Sequence, residues 1–189
     1  MPNKDYTTLY KQQNKFLEFW SKLDFPFYLT GGTALGRYWL NHRFSEDLDF
    51  FVNNEKNFKS FIQDIHRLIT NNFDVDASQT VVYDTFARFF IKDNKSVLKI
   101  DFVNDSDYRT GKPILFQSFL LDNPENILSN KLSAILNREE PKDIFDIIHI
   151  ALNFDFNWSV IFNETKQKSL QNEIDTEQKI KSFPVELFS

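Results

Sequence analysis

Residues 27–52 read FYLTGGTALGRYWLNHRFSEDLDFFV, and the succession of residue types in this stretch decides the fold. Phe27 to Leu29, following Pro26, has the composition of a short buried strand. It runs into Gly31-Gly32, and Thr33 to Leu40 carries a helical pattern, so the chain passes from strand through tight turn into helix. The whole chain has four glycines, and Gly31, Gly32 and Gly36 fall together at this junction. Glycine permits a tight turn and lets a phosphate approach main-chain N–H groups, while a helix N-terminus favours the anion. Asp47 to Val52 predicts a second strand, with Asp47 and Asp49 on one face and Leu48, Phe50 and Val52 on the other. Aspartate is a poor strand former and like charges two apart repel, a conflict that a divalent cation removes. Hard oxygen ligands of this kind suit Mg²⁺.

Working outward, Tyr6 to Leu23 has Phe16, Leu17, Phe19, Trp20 and Leu23 at helical spacing, and Lys56 to Thr70 repeats the pattern with Phe58, Phe61, Ile62, Ile65, Leu68 and Ile69. Three β-rich runs follow, Val75 to Tyr83, Phe86 to Ile91 and Val97 to Val103. Turn residues at Asp84-Thr85 and Asp93-Asn94-Lys95 join them, so antiparallel hairpins are expected. In the last run Asp101 lies opposite Leu98, Ile100 and Phe102. It is either a third carboxylate for a metal site beside the Asp47–Asp49 strand, also accepting the proton of an attacking hydroxyl, or the ion-pair partner of its same-face neighbour Lys99. From Pro124 onward the patterns are helical, at Pro124 to Asn137, Pro141 to Leu152 and Trp158 to Lys181. The expected architecture is therefore α+β, a small mixed sheet flanked by helices. The core is placed at 1–115 and a short C-terminal helical region at 116–189.

Composition narrows the function. At 189 residues and 41% hydrophobic the chain builds a real core, and no run of eighteen apolar residues offers a membrane span. The start lacks a signal pattern, so the expected location is the cytoplasm. The absence of cysteine leaves only oxygen or histidine to hold a metal. A formal net charge of -5 argues against indiscriminate coating of nucleic acid but leaves room for one basic patch.

Leu29-Thr30-Gly31-Gly32-Thr33-Ala34-Leu35, followed by His42-Arg43-Phe44-Ser45-Glu46-Asp47-Leu48-Asp49-Phe50-Phe51, resembles the signature of AbiEii-type nucleotidyltransferases. These are the toxin side of type IV toxin–antitoxin and abortive-infection systems, within the polymerase-beta-like superfamily. The likeness continues into Lys131 to Arg138 and Asp143 to Asp146, covering about residues 25–152. It implies a nucleotidyltransferase fold and a nucleoside triphosphate held by Gly31, Gly32 and Thr33, within a block that also brings Arg43 and Ser45. It also implies metal binding by Asp47 and Asp49, a phosphate contact from Lys131 and a catalytic place for Asp143. The residues themselves leave Lys131 open between a phosphate ligand and an ordinary exposed helix lysine, and Arg43 open between pinning the loop and touching phosphate. Asp143, just after Pro141, is also what a helix N-terminus favours. His42 reads as structural. Lys142-Asp143 stands where relatives often show Arg-Asp, and the region after 115 is shorter than the C-terminal domains common in the family.

The function expected is metal-dependent transfer of a nucleotide from a nucleoside triphosphate to an acceptor hydroxyl, using Mg²⁺ or Mn²⁺. The resemblance adds RNA, such as the tRNA acceptor end, as acceptor and a cognate antitoxin as partner. The alternatives are nucleotidylation of a small molecule of the aminoglycoside kind, which the acidic net charge favours, and a non-catalytic nucleotide-binding module.

Overall fold

A computed structural model describes residues 5–93, 96–106, 108–168, 173–184 and 186. The chain runs α1 (Tyr6–Trp20), β1 (Tyr28–Thr30), α2 (Gly31–Ala34) continuing into a π-helical turn (Leu35–Trp39), β2 (Leu48–Asn53) and α3 (Phe58–Asn72). Then come β3 (Asp74–Val75), β4 (Val81–Val82), β5 (Phe86–Asp93), β6 (Ser96–Asp105), β7 (Ile114–Phe116) and β8 (Phe119–Leu121). Four helices close it, α4 (Pro124–Ile135), α5 (Pro141–Asn153), α6 (Trp158–Lys168) and α7 (Glu173–Lys181). The α+β architecture expected from the sequence is the one observed. The sheet order is β3-β5-β6-β2-β1-β8-β7, with β4 on β5. It is mixed, because β2 pairs parallel with β6 and β1 parallel with β8, while β1–β2, β5–β6 and β7–β8 are antiparallel.

The alternation along β2, β5 and β6 divides the sheet into two unlike faces. Leu48, Phe50, Ala87, Phe89, Leu98, Ile100 and Phe102 are fully buried under α1 and α3. Phe50 and Phe102 stack with centroids 5.3 Å apart, and Trp20 from α1 lies 4.6 Å from Phe50. Burying side chains of this size contributes about 1.5–3 kcal/mol each, which makes the register of β2 and β6 costly to slip. Their intervening residues, Asp49 and Asp101 among them, must then face the other way, toward α4 and α5.

Several expected elements differ in extent. The run Val75 to Tyr83 is not one strand, because Asp76 accepts hydrogen bonds from the Ser78 N–H, the Ser78 hydroxyl and Gln79, and this turn outcompetes the ladder. The helix after the glycines begins at Gly31 rather than Thr33, and its second half is π-helical. Residues Asn94 and Lys95 of the expected hairpin turn, and 169–172 of the expected last helix, lie outside the described residues. Strands β7 and β8 stand at and beyond position 115, where the sequence alone puts the change to a helical region. Pro124 follows Asn123, whose side chain accepts from the Asn126 N–H at 2.7 Å and caps α4. No helix among the described residues is long and apolar enough to cross a membrane.

Candidate active site

Register brings two of the three sequence-selected carboxylates together. Asp49 of β2 is the direct partner of Asp101 on β6, and Thr30 at the end of β1 is the partner of Asp49 on its other side. Asp47 lies one residue before β2 begins, not within it as the alternation suggested. It is held instead by Thr33, whose buried hydroxyl donates to the Asp47 carbonyl. Thr33 therefore fixes the carboxylate loop.

Two cations that the sequence reading did not assign to the site neutralise part of this wall. Arg88 of β5, the register partner of Asp101, donates Nε and Nη2 to both Asp101 oxygens at 2.7 Å. Lys99 Nζ lies 2.6 Å from Asp47 and 3.9 Å from Asp101, so the expected Lys99–Asp101 pair is secondary to Lys99–Asp47. No hydrogen bond or ion pair engages the Asp49 carboxylate among the described residues. Burial, then the charges of Asp101 and Asp47, push its pKa up from 3.8 to about 6. The alternation Ala87, Phe89, Ile91 on the buried face was the signal that could have placed Arg88 beside Asp101.

Across the cleft stands a second polar cluster on α4 and α5. Lys131 is nearly buried, which removes the reading of an ordinary surface lysine, and its ammonium sits 2.9 Å from Asp143 and 2.7 Å from Asp146. Arg138, in the turn after α4, reaches the other Asp143 oxygen at 2.7 Å. Asp143 thus pairs with both Lys131 and Arg138, on the helical side of the cleft that the sheet carboxylates also line. Asp146, which residue spacing did not single out, is the hub. It accepts from Arg43 Nε and Nη2 at 2.6 Å and shares a 2.6 Å hydrogen bond with His42. Burial pushes the Asp146 carboxyl up, but the Arg43 hydrogen bond and the Lys131 and Arg43 charges outweigh it and hold the pKa at about 2. Arg43 therefore pins the 40–47 loop to α5. His42 stacks on Phe145 with centroids 5.7 Å apart, and its pKa is lowered chiefly by burial. Gln13, fully buried on α1, ties the same loop down through the Ser45 and Glu46 carbonyls, and the Ser45 N–H donates to the Tyr10 hydroxyl.

The glycines are explained by these neighbours. Gly31 has φ +69°, and a Cβ there would stand 2.7 Å from Asp49 Oδ2; at Gly32 it would collide with the Arg43 guanidinium and come within 3.0 Å of Ser45 Oγ. The backbone is thus pressed between the two charged clusters. Two adjoining clefts open here. One, about 350 Å³, is lined by Gly31, Gly32, Ser45 and the three aspartates with Arg88, Lys99, Lys131 and Arg138; the other, about 500 Å³, extends from Gly31, Asp49 and Lys131 past Phe51, Ser133 and Asn130 to Lys168.

A family model for the AbiEii nucleotidyl transferase toxin of type IV toxin–antitoxin systems matches residues 18–184. The chain belongs to the AbiEii family. Among solved structures it is similar to JHP933 from Helicobacter pylori, at 20% identity and TM-score 0.59 over 98% of this chain and 94% of that one. It is also similar to an H. pylori structure described as a nucleotidyltransferase, at 20% identity and TM-score 0.60 over 95% and 84%. At that identity the likeness speaks for the fold, which is the nucleotidyltransferase fold. Comparison with curated proteins finds no significant match. This AbiEii protein is a nucleotidyltransferase, and the sheet carboxylates face the cations of α4 and α5 across its cleft. Among the described residues no group of three or more acidic or histidine side chains converges as ready metal ligands. Arg88 is paired with Asp101 and Lys99 with Asp47.

Proposed function

We propose that the protein transfers a nucleoside monophosphate from a nucleoside triphosphate to an acceptor hydroxyl, RNA being the acceptor that the family resemblance implies, with Asp47, Asp49 and Asp101 holding a divalent cation, Mg²⁺ or Mn²⁺. The observation that carries this is the in-register Asp49–Asp101 pair, with the Asp49 carboxylate raised in pKa and unpaired. An all-carboxylate donor set suits a hard divalent ion, and such an ion would neutralise the charge that Arg88 and Lys99 leave over. When bound, it would supply charge stabilisation to the reacting phosphate oxygens and orientation to the attacking hydroxyl.

The chain's own residues account for the rest. Gly31 and Gly32 line the cleft beside Asp49 with bare backbone, which a triphosphate can approach closely. Lys131 and Arg138, held by Asp143, present positive charge where pyrophosphate charge grows. The acceptor oxygen forms a bond to the α-phosphorus, the bond to the bridging oxygen breaks, pyrophosphate leaves, and the hydroxyl proton passes to Asp101. Ser45 and Arg43 shape the floor of the triphosphate cleft. As an AbiEii toxin the protein is expected to be restrained by a cognate antitoxin.

The test is incubation with each α-labelled triphosphate, Mg²⁺ and total cellular RNA. Label is expected on RNA, lost with EDTA and reduced on the order of 10³-fold in Asp49→Asn. Label confined to small molecules would replace RNA by a small acceptor. Undiminished transfer in EDTA or in Asp49→Asn would end the metal reading.

A further inference from the structure

The Asp101 carboxylate does not stand open to the cleft. Arg88 takes both of its oxygens in a fork-to-fork pair at 2.7 Å, using the lone pairs that a hard cation also requires. Guanidinium and metal therefore compete for the same atoms. The two arginine–carboxylate forks of the cleft are also built differently. In the Arg43–Asp146 pair the arginine side chain is 18% exposed and the carboxylate is fully buried, whereas the Arg88 side chain is 36% exposed. Arg88 lies at the rim with its guanidinium 5.1 Å from the Phe86 ring centroid, so it can leave Asp101 without opening the core. Lys99 does not substitute for it, because Lys99 sits 3.9 Å from Asp101 and is committed to Asp47 at 2.6 Å.

We propose that Arg88 is a resident counter-cation of Asp101 that competes with the divalent ion, so that the metal affinity of the nucleotide-free protein is held down until the guanidinium is drawn elsewhere. Phosphate is the other anion that matches the arginine fork, and Arg88 already lines the cleft proposed for triphosphate. Arg88 is in this sense a positioning residue that makes full metal occupancy wait for the nucleotide. The inference rests on the metal site of the proposed function.

The test is Mn²⁺ binding to the nucleotide-free protein, followed by the electron-paramagnetic signal of free Mn²⁺, with folding checked by circular dichroism. Arg88→Gln is expected to bind Mn²⁺ about tenfold more tightly than wild type, the worth of one partly exposed charge-assisted pair. Arg88→Lys, which keeps charge but cannot hold both oxygens, is expected to fall between them and serves if Arg88→Gln does not fold. Adding Asp101→Asn to Arg88→Gln is expected to abolish the gain, which a general loosening of the fold would not do. Equal or weaker binding in Arg88→Gln, or a gain that survives Asp101→Asn, overturns the inference while wild-type Mn²⁺ binding that depends on Asp49 leaves the metal site standing. Absence of Mn²⁺ binding in every protein overturns both.

Discussion

The two walls of the cleft carry the same residue types with opposite balance. On the sheet wall three carboxylates, Asp47, Asp49 and Asp101, meet two cations, Arg88 and Lys99. On the helical wall two carboxylates, Asp143 and Asp146, meet three cations, Lys131, Arg138 and Arg43. The first wall holds an unpaired acid pushed up to about 6, the second an acid held at about 2. An acid saturated by its neighbours is a structural device, whereas an acid in excess marks where positive charge has yet to come. The helical wall is left net positive, the sign that a triphosphate requires, and the sheet wall net negative, the sign that a cation requires.

The comparison breaks first at Asp146. Asp146→Ala leaves His42, Arg43 and Lys131 facing a buried gap and is expected to cost about 3–5 kcal/mol, read as a drop in urea midpoint. A depressed pKa contributes stability above the unfolded value and loses it as pH falls from about 4 through about 2, so the deficit should shrink across that window. A variant as stable as wild type at pH 7 would show that the hub is decorative.

Asp49→Asn sharpens the contrast, because it should do the reverse. A carboxyl raised from 3.8 to about 6 favours folding in its protonated form, so its contribution is present below about pH 4 and lost as pH rises through 6. With EDTA present, the variant is therefore expected to be up to about 3 kcal/mol more stable than wild type at pH 7.5, the two converging near pH 4. Lower stability of Asp49→Asn at pH 7.5 would mean that Asp49 is satisfied after all. The smallest effect is expected at Thr33→Val, which leaves the Asp47 carbonyl without its donor at nearly constant volume. A loss of about 1 kcal/mol in chemical unfolding is expected, and no loss would remove Thr33 from the support of the loop.

Much of this is legible in the sequence. Period-two alternation in Leu48 to Val52 and in Val97 to Val103 assigns Leu48, Phe50, Ile100 and Phe102 to the core, and so assigns Asp49 and Asp101 to the opposite face. Gly31 and Gly32 in front of a helical pattern locate the turn. Alternation and glycine placement are local properties, and each residue reports its own environment.

Pairing between distant elements is different, since it depends on which strand and which helix come to lie against the site. The register of β5 on β6 gives Asp101 to Arg88 rather than to Lys99. The packing of α5 against the 40–47 loop brings Arg43 and His42 to Asp146 across about a hundred residues of chain. The sequence by itself determined the sheet's two faces and the carboxylates offered on one of them. Which acid is saturated and which is left in excess was decided by tertiary structure alone, because charge balance is a sum over neighbours that only packing assembles.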